Sequence, residues 1–89
     1  MTYTLSYSNQ AVKSIKNAEK ELQQRILKKA EELQTKPFPK DAKSITGYME
    51  KMFRVRVGDL RIIYEVDETA KLIGVIKIDK RSRVYKRHD

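Results

Sequence analysis

Residues 2–7, TYTLSY, place Tyr3, Leu5 and Tyr7 at alternate positions, the period of a half-buried strand. Ser8 follows where a helix N-cap belongs. From there Ala11, Val12, Ile15, Ala18, Leu22, Ile26, Ala30 and Leu33 recur every three or four residues, which predicts helix. Neither Gly nor Pro interrupts this stretch, so local sequence permits one helix continuing to Thr35. A helix from Asn9 to Thr35 would be about 40 Å long. A globule of this chain length is only roughly 30 Å across. The mismatch predicts a fold-back into two antiparallel helices, with the break around Asn17–Lys20.

Pro37 and Pro39 end the second helix, and the segment to about Thr46 reads as a connecting loop. The period then changes to two. Strands are predicted over Tyr48–Val57, Leu60–Asp67 and Leu72–Asp79, separated by Gly58-Asp59 and by Glu68–Lys71. Gly at the first central position of a two-residue loop suits a type II′ hairpin turn. The order β-α-α-β-β-β predicts an α+β fold: an N-terminal strand and a two-helix hairpin packed on one face of a small, mainly antiparallel sheet.

Composition narrows the class. The 89 residues contain no cysteine, three Gly and two Pro, with 39% hydrophobic and 36% charged residues, an ordinary globular balance. One domain over residues 1–89 is expected, and neither repeats nor low-complexity segments are visible. Apolar runs are three residues or fewer, too short for a membrane span or a secretory signal. Without cysteine there is no disulfide framework or thiolate metal site, and one His cannot build a zinc centre. A cytoplasmic protein without cofactor or metal is the expectation.

Charge adds a statement about partners. Twenty Lys/Arg against twelve Asp/Glu leave a net +8. Nucleic acid is the first partner this suggests, then an acidic protein, then a membrane surface. Residues 80–89 form a basic tail that carries five basic residues against Asp89 alone, half of the net charge.

The hairpin concentrates the rest. A turn at Gly58-Asp59 sets Val57 opposite Leu60, Arg56 opposite Arg61, Val55 opposite Ile62, Arg54 opposite Ile63 and Phe53 opposite Tyr64. Val57, Leu60, Val55, Ile62, Phe53 and Tyr64 then share the face under the helices. Arg54, Arg56 and Arg61 share the other. Like charges directly opposite on a sheet cost a few tenths to about 1 kcal/mol per pair. An anion lying across Arg56 and Arg61 reverses that sign. Glu65 or Asp79, on neighbouring strands, would neutralise the cluster instead and leave an ordinary solvated face. The last strand leads into Lys80, Arg81 and Arg83, near the same sheet, with Tyr85 among cations. Arginine grips phosphate bidentately and stays charged at any working pH, so phosphate is the anion that suits Arg54, Arg56 and Arg83 best.

RNA cleavage requires deprotonation of a 2′-hydroxyl, stabilisation of a phosphorane and protonation of the leaving 5′-oxygen. His88 reads as part of the tail. The remaining resource is electrostatic, with fixed cations around the transition-state charge. Proton transfer falls to Tyr85 or Lys80, because guanidinium is not deprotonated in proteins. Tyr85 has two other readings, stacking on a nucleobase or clasping the tail.

The stretch FRVRVGDLRIIYEV, followed by IKIDKRSRVY, resembles the RelE toxins of the RelE/ParE toxin–antitoxin superfamily. The likeness extends over the whole chain. It implies a ribosome-dependent endoribonuclease that enters the A site, cuts messenger RNA and leaves a 2′,3′-cyclic phosphate, so inhibiting translation. It also implies a cognate acidic, amphipathic antitoxin, and is compatible with a toxin–antitoxin heterotetramer. By resemblance Arg61 is the arginine after the hairpin turn, Arg81 that of the KR pair and Tyr85 the near-terminal tyrosine. Arg54 and Arg56 stand where well-studied members carry two lysines. Arginine preserves cation placement there but shifts the base role to Tyr85 or Lys80. The alternative, on the same scaffold, is a ParE-like inhibitor of DNA gyrase without nuclease activity. A third reading is an RNA- or ribosome-binding module without catalysis.

Overall fold

Ser8 starts the first helix through its side chain, which accepts a hydrogen bond from the Ala11 N–H at 3.0 Å. In the computed structural model, which describes residues 2–45 and 52–80, that helix is α1 (Asn9–Asn17), preceded by β1 (Thr4–Tyr7). The expected break falls where size demanded it. Ala18 and Glu19 are both extended, and α2 (Lys20–Thr35) begins after them. No Gly or Pro makes this corner. It is held by the Ala18 N–H on Ile15 O at 3.1 Å and by the Gln23 side-chain amide on the same carbonyl at 2.7 Å. α2 stops at Thr35, two residues before Pro37, whose ring cannot continue the ladder.

Four more strands follow: β2 (Lys43–Ser44), β3 (Met52–Val57), β4 (Leu60–Asp67) and β5 (Leu72–Lys80). They join β1 in one sheet of order β1-β5-β4-β3-β2, antiparallel except where β1 runs parallel to β5. The α+β class is as the period changes predict. Two details differ. The stretch to Thr46, expected as loop throughout, contains β2, too short to show a period. Of the strand expected over Tyr48–Val57, residues 46–51 lie outside the described residues and the rest is β3.

The β3–β4 register agrees pair by pair with the two-residue turn. Gly58 has φ of 60°, and Asp59 is not among the positive-φ residues, as a type II′ turn requires. Inward side chains of β3, β4 and β5 (Val55, Val57, Leu60, Ile62, Tyr64, Ile73, Val75 and Ile78) pack with Ala11, Ile26 and Leu33 of the helices. The Tyr64 hydroxyl escapes isolation by donating to Pro37 O at 2.8 Å. Phe53 lies between Tyr64 and Phe38, with ring centroids 5.8 and 5.1 Å away.

β5 is irregular. Ile63 pairs with Lys77 but Tyr64 with Val75, so Ile76 is an extra residue, a bulge. β1 pairs β5 only as far as Val75, leaving the later edge of β5 without a strand neighbour on that side among the described residues. α1 covers it: the Ser8 hydroxyl donates to Ile76 O, and Ser14 Oγ donates to Ile78 O at 3.0 Å. Gln10 spans both backbone groups of Ile78, accepting from its N–H at 3.2 Å and donating to its carbonyl at 3.3 Å. These bonds satisfy the open edge and fix α1 against the sheet.

Candidate functional site

The sheet face away from the helices is built by the residues left over from core packing. Arg56 stands opposite Arg61, and Arg61 opposite Asp79, so a three-strand row reads Arg56–Arg61–Asp79. Arg54 shares this face and stands opposite Ile63 on one side and Lys43 of β2 on the other. Lys77 completes the group, opposite Ile63 from β5. Outward residues of β4 run Arg61, Ile63, Glu65, Asp67, so the face is cationic near the hairpin turn and acidic at its far end.

Arg56 is exposed and Arg54 half-buried. Arg61 is deeper. Its side chain is 16% exposed and that of Asp79 13%, with Arg61 Nε 3.5 Å from Asp79 Oδ1. Lys77 Nζ lies 3.7 Å from the other oxygen, Asp79 Oδ2. Arg61 Nε and Asp79 Oδ1 are both shielded from solvent, yet neither makes a hydrogen bond among the described residues. Ile63 is buried on this outer face, away from the main core, with cationic register neighbours on both sides.

Strand geometry therefore gathers Arg54, Arg56 and Arg61 on one surface. It does not bring Lys80 onto it. Lys80 is exposed and in register with Leu60, so it follows the parity of the helix-covered face at the end of β5. Arg81, Arg83, Tyr85 and His88 lie outside the described residues. Two cations of the face escaped the sequence reading. Lys43 arrives on β2, and Lys77 was legible only through its spacing of two from Asp79. Chemically, the face offers phosphate-sized anions several guanidinium donors in a partly desolvated setting, and no proton acceptor among its cations.

Residues 5–85 match the family described as the ParE toxin of the type II toxin–antitoxin system parDE. The chain also resembles, at 31% identity and a TM-score of 0.83, a chain of the archaeal RelE–RelB complex from Pyrococcus horikoshii OT3, covering 93% of this chain and 99% of that one. It is a RelE-type member of the RelE/ParE toxin superfamily. Two further structures share the architecture of this RelE-type toxin. A chain of the RelB–RelE antitoxin–toxin complex from Methanococcus jannaschii is 28% identical with a TM-score of 0.70, covering 89% of this chain and 93% of that one. The isolated E. coli RelE toxin is 21% identical with a TM-score of 0.75, covering 97% and 94%, a likeness of fold alone. No curated protein matches the sequence. No described helix of the toxin is long and apolar enough to cross a membrane.

Proposed function

We propose that this type II toxin is a ribosome-dependent endoribonuclease that cleaves messenger RNA in the A site. The observation that carries the reading is the placement of Arg54, Arg56 and Arg61 from two adjacent strands on the sheet face away from the helices. Arg54 and Arg56, with Arg83 from the following segment, hold the RNA backbone. Arg61 and Arg81 stabilise the phosphorane charge, each such donor contributing about 10²–10³ in rate. The nucleophile is the RNA's own 2′-hydroxyl and the charge stabilisation comes from guanidinium groups, so the reaction needs no metal ion. Since Lys80 follows the opposite face, Tyr85 is the better candidate for proton transfer. A ribosomal target places the activity in the cytoplasm. The RelE–RelB and RelB–RelE complexes among the similar structures support a cognate antitoxin as the partner that silences this toxin.

Incubation with programmed ribosomes, with mapping of mRNA 5′ ends, is the direct test; new ends within the A-site codon are expected. Tyr85→Phe keeps the ring and removes the hydroxyl. A large loss of cleavage identifies proton transfer, whereas near-normal cleavage identifies stacking. The ParE description of the matching family supports one second reading, inhibition of DNA gyrase without nuclease activity. A gyrase cleavage assay run alongside separates the two.

A further inference from the structure

Arg61 is pulled and pushed in one direction. Arg56 stands opposite it on β3 and repels it, while Asp79 stands opposite it on β5 and attracts it. Both forces bias the guanidinium towards β5, the strand whose sequence runs on into Lys80 and Arg81. Asp79 sits at a cost. Its Oδ1 and the facing Arg61 Nε are shielded from water at 3.5 Å, without a completed hydrogen bond among the described residues. An incomplete pair of this kind forgoes free energy that a fully hydrogen-bonded carboxylate would recover, so stability alone does not account for the geometry. Asp79 faces two cations at once, with its second oxygen 3.7 Å from Lys77 Nζ.

We propose that Asp79 is a positioning residue: its carboxylate holds the Arg61 guanidinium in the orientation that meets the scissile phosphate. The inference rests on the nuclease reading above and deepens it. Asp79 touches neither RNA nor the reacting atoms, and it acts through the Arg61 Nε edge alone. Two opposed consequences follow. Removing its charge leaves the face more cationic, so RNA binds more tightly. Removing the clamp lets Arg61 swing, so the bound phosphate is cleaved more slowly. A misplacement near 1 Å costs up to about 10²-fold in rate.

The test uses the full chain as Asp79→Asn and Asp79→Glu. Affinity is measured with an RNA oligonucleotide carrying a 2′-deoxy sugar at the cleavage position, and rate by single-turnover cleavage on programmed ribosomes. Asp79→Asn is expected to bind the oligonucleotide at least as tightly as the wild type and to cleave about ten- to hundred-fold more slowly. Asp79→Glu should recover most of the rate. A third measurement needs no cleavage: the Arg61 Nε–H resonance of the free protein, assigned by its loss in Arg61→Lys. Its slow exchange with water should persist in the wild type and collapse in Asp79→Asn. An Asp79→Asn variant that cleaves at the wild-type rate, or keeps a protected Arg61 Nε–H, overturns the proposal. A wild type that cleaves no mRNA overturns the nuclease reading itself, and the resonance then still decides whether Asp79 fixes Arg61.

Discussion

The two faces of the sheet solve different problems with the same strands. The face under α1 and α2 is filled by Val55, Ile62, Tyr64, Ile73, Val75 and their neighbours, nearly all without solvent contact. Every choice there agrees with burial, and the hydrophobic effect supplies the stability. On the other face, Arg56 stands against Arg61, and Arg61 Nε and Asp79 Oδ1 are shielded but not hydrogen-bonded among the described residues. Stability alone selects against both features. Such local conflicts are expected where function is paid for elsewhere in the fold.

Substitutions on each face should therefore fail in different ways. Val55→Asp buries a charge between sheet and helices and should abolish cooperative folding, visible as loss of the thermal unfolding transition by circular dichroism. A soluble, cooperatively melting Val55→Asp protein would mean that the helix-bearing face is misassigned. Arg61→Ala should lower cleavage about 10²–10³-fold. Its fold should survive, because Asp79 retains Lys77 as a partner. A fully active Arg61→Ala enzyme would break the contrast from the other side. Gly58→Ala forces a Cβ into a backbone with φ of 60° and should cost about 1 kcal/mol in urea unfolding. The space itself is adequate, since the nearest atom to that Cβ is Arg25 Nη1 at 3.5 Å.

The smallest effect lies off both faces. Lys29 donates to Asp41 at 2.9 Å, and this hydrogen bond holds the Asp41 carboxyl below its ordinary range. A depressed carboxyl contributes stability above its unfolded-state value and loses it as pH falls through the folded-state value. Lys29→Ala should thus be less stable than wild type at pH 7 by well under about 1 kcal/mol, because the pair is exposed. The difference should vanish in acid. Paired urea titrations at neutral pH and near pH ~3 measure it.

Legibility in the sequence followed the strength of local rules. The hairpin register was readable because a two-residue turn and strict alternation leave one solution. The helix break at Ala18–Glu19 was readable only from size, since its stabilising contact, Gln23 on Ile15 O, joins side chain to backbone across the corner. β2 was not readable, because Lys43 and Ser44 are too few to carry a period. The bulge left a trace that alternation alone passes over: inward Val75 and Ile78 are three residues apart. Of the site, Arg54, Arg56 and Arg61 were evident from register. Asp79 was visible as a neutralising neighbour, but its incomplete contact with Arg61 depends on side-chain geometry that no pattern encodes.

Ile76 works as a frame correction within β5. Val75 before it and Ile78 after it stand three residues apart yet both point into the core, which strict alternation forbids and the bulge permits. Beyond it alternation resumes, with Asp79 outward opposite Arg61. Deleting Ile76 would leave a regular ladder with β4 and preserve which side each neighbour faces, but it would remove the carbonyl that accepts from the Ser8 hydroxyl. The local bend and twist of β5 would go with the bulge, and with them the aim of the Ile78 backbone at Gln10 and Ser14. The bulge in β5 and the polar residues of α1 thus form one matched fit, and insertions or deletions between Val75 and Ile78 should be tolerated only with matching changes at Gln10 and Ser14.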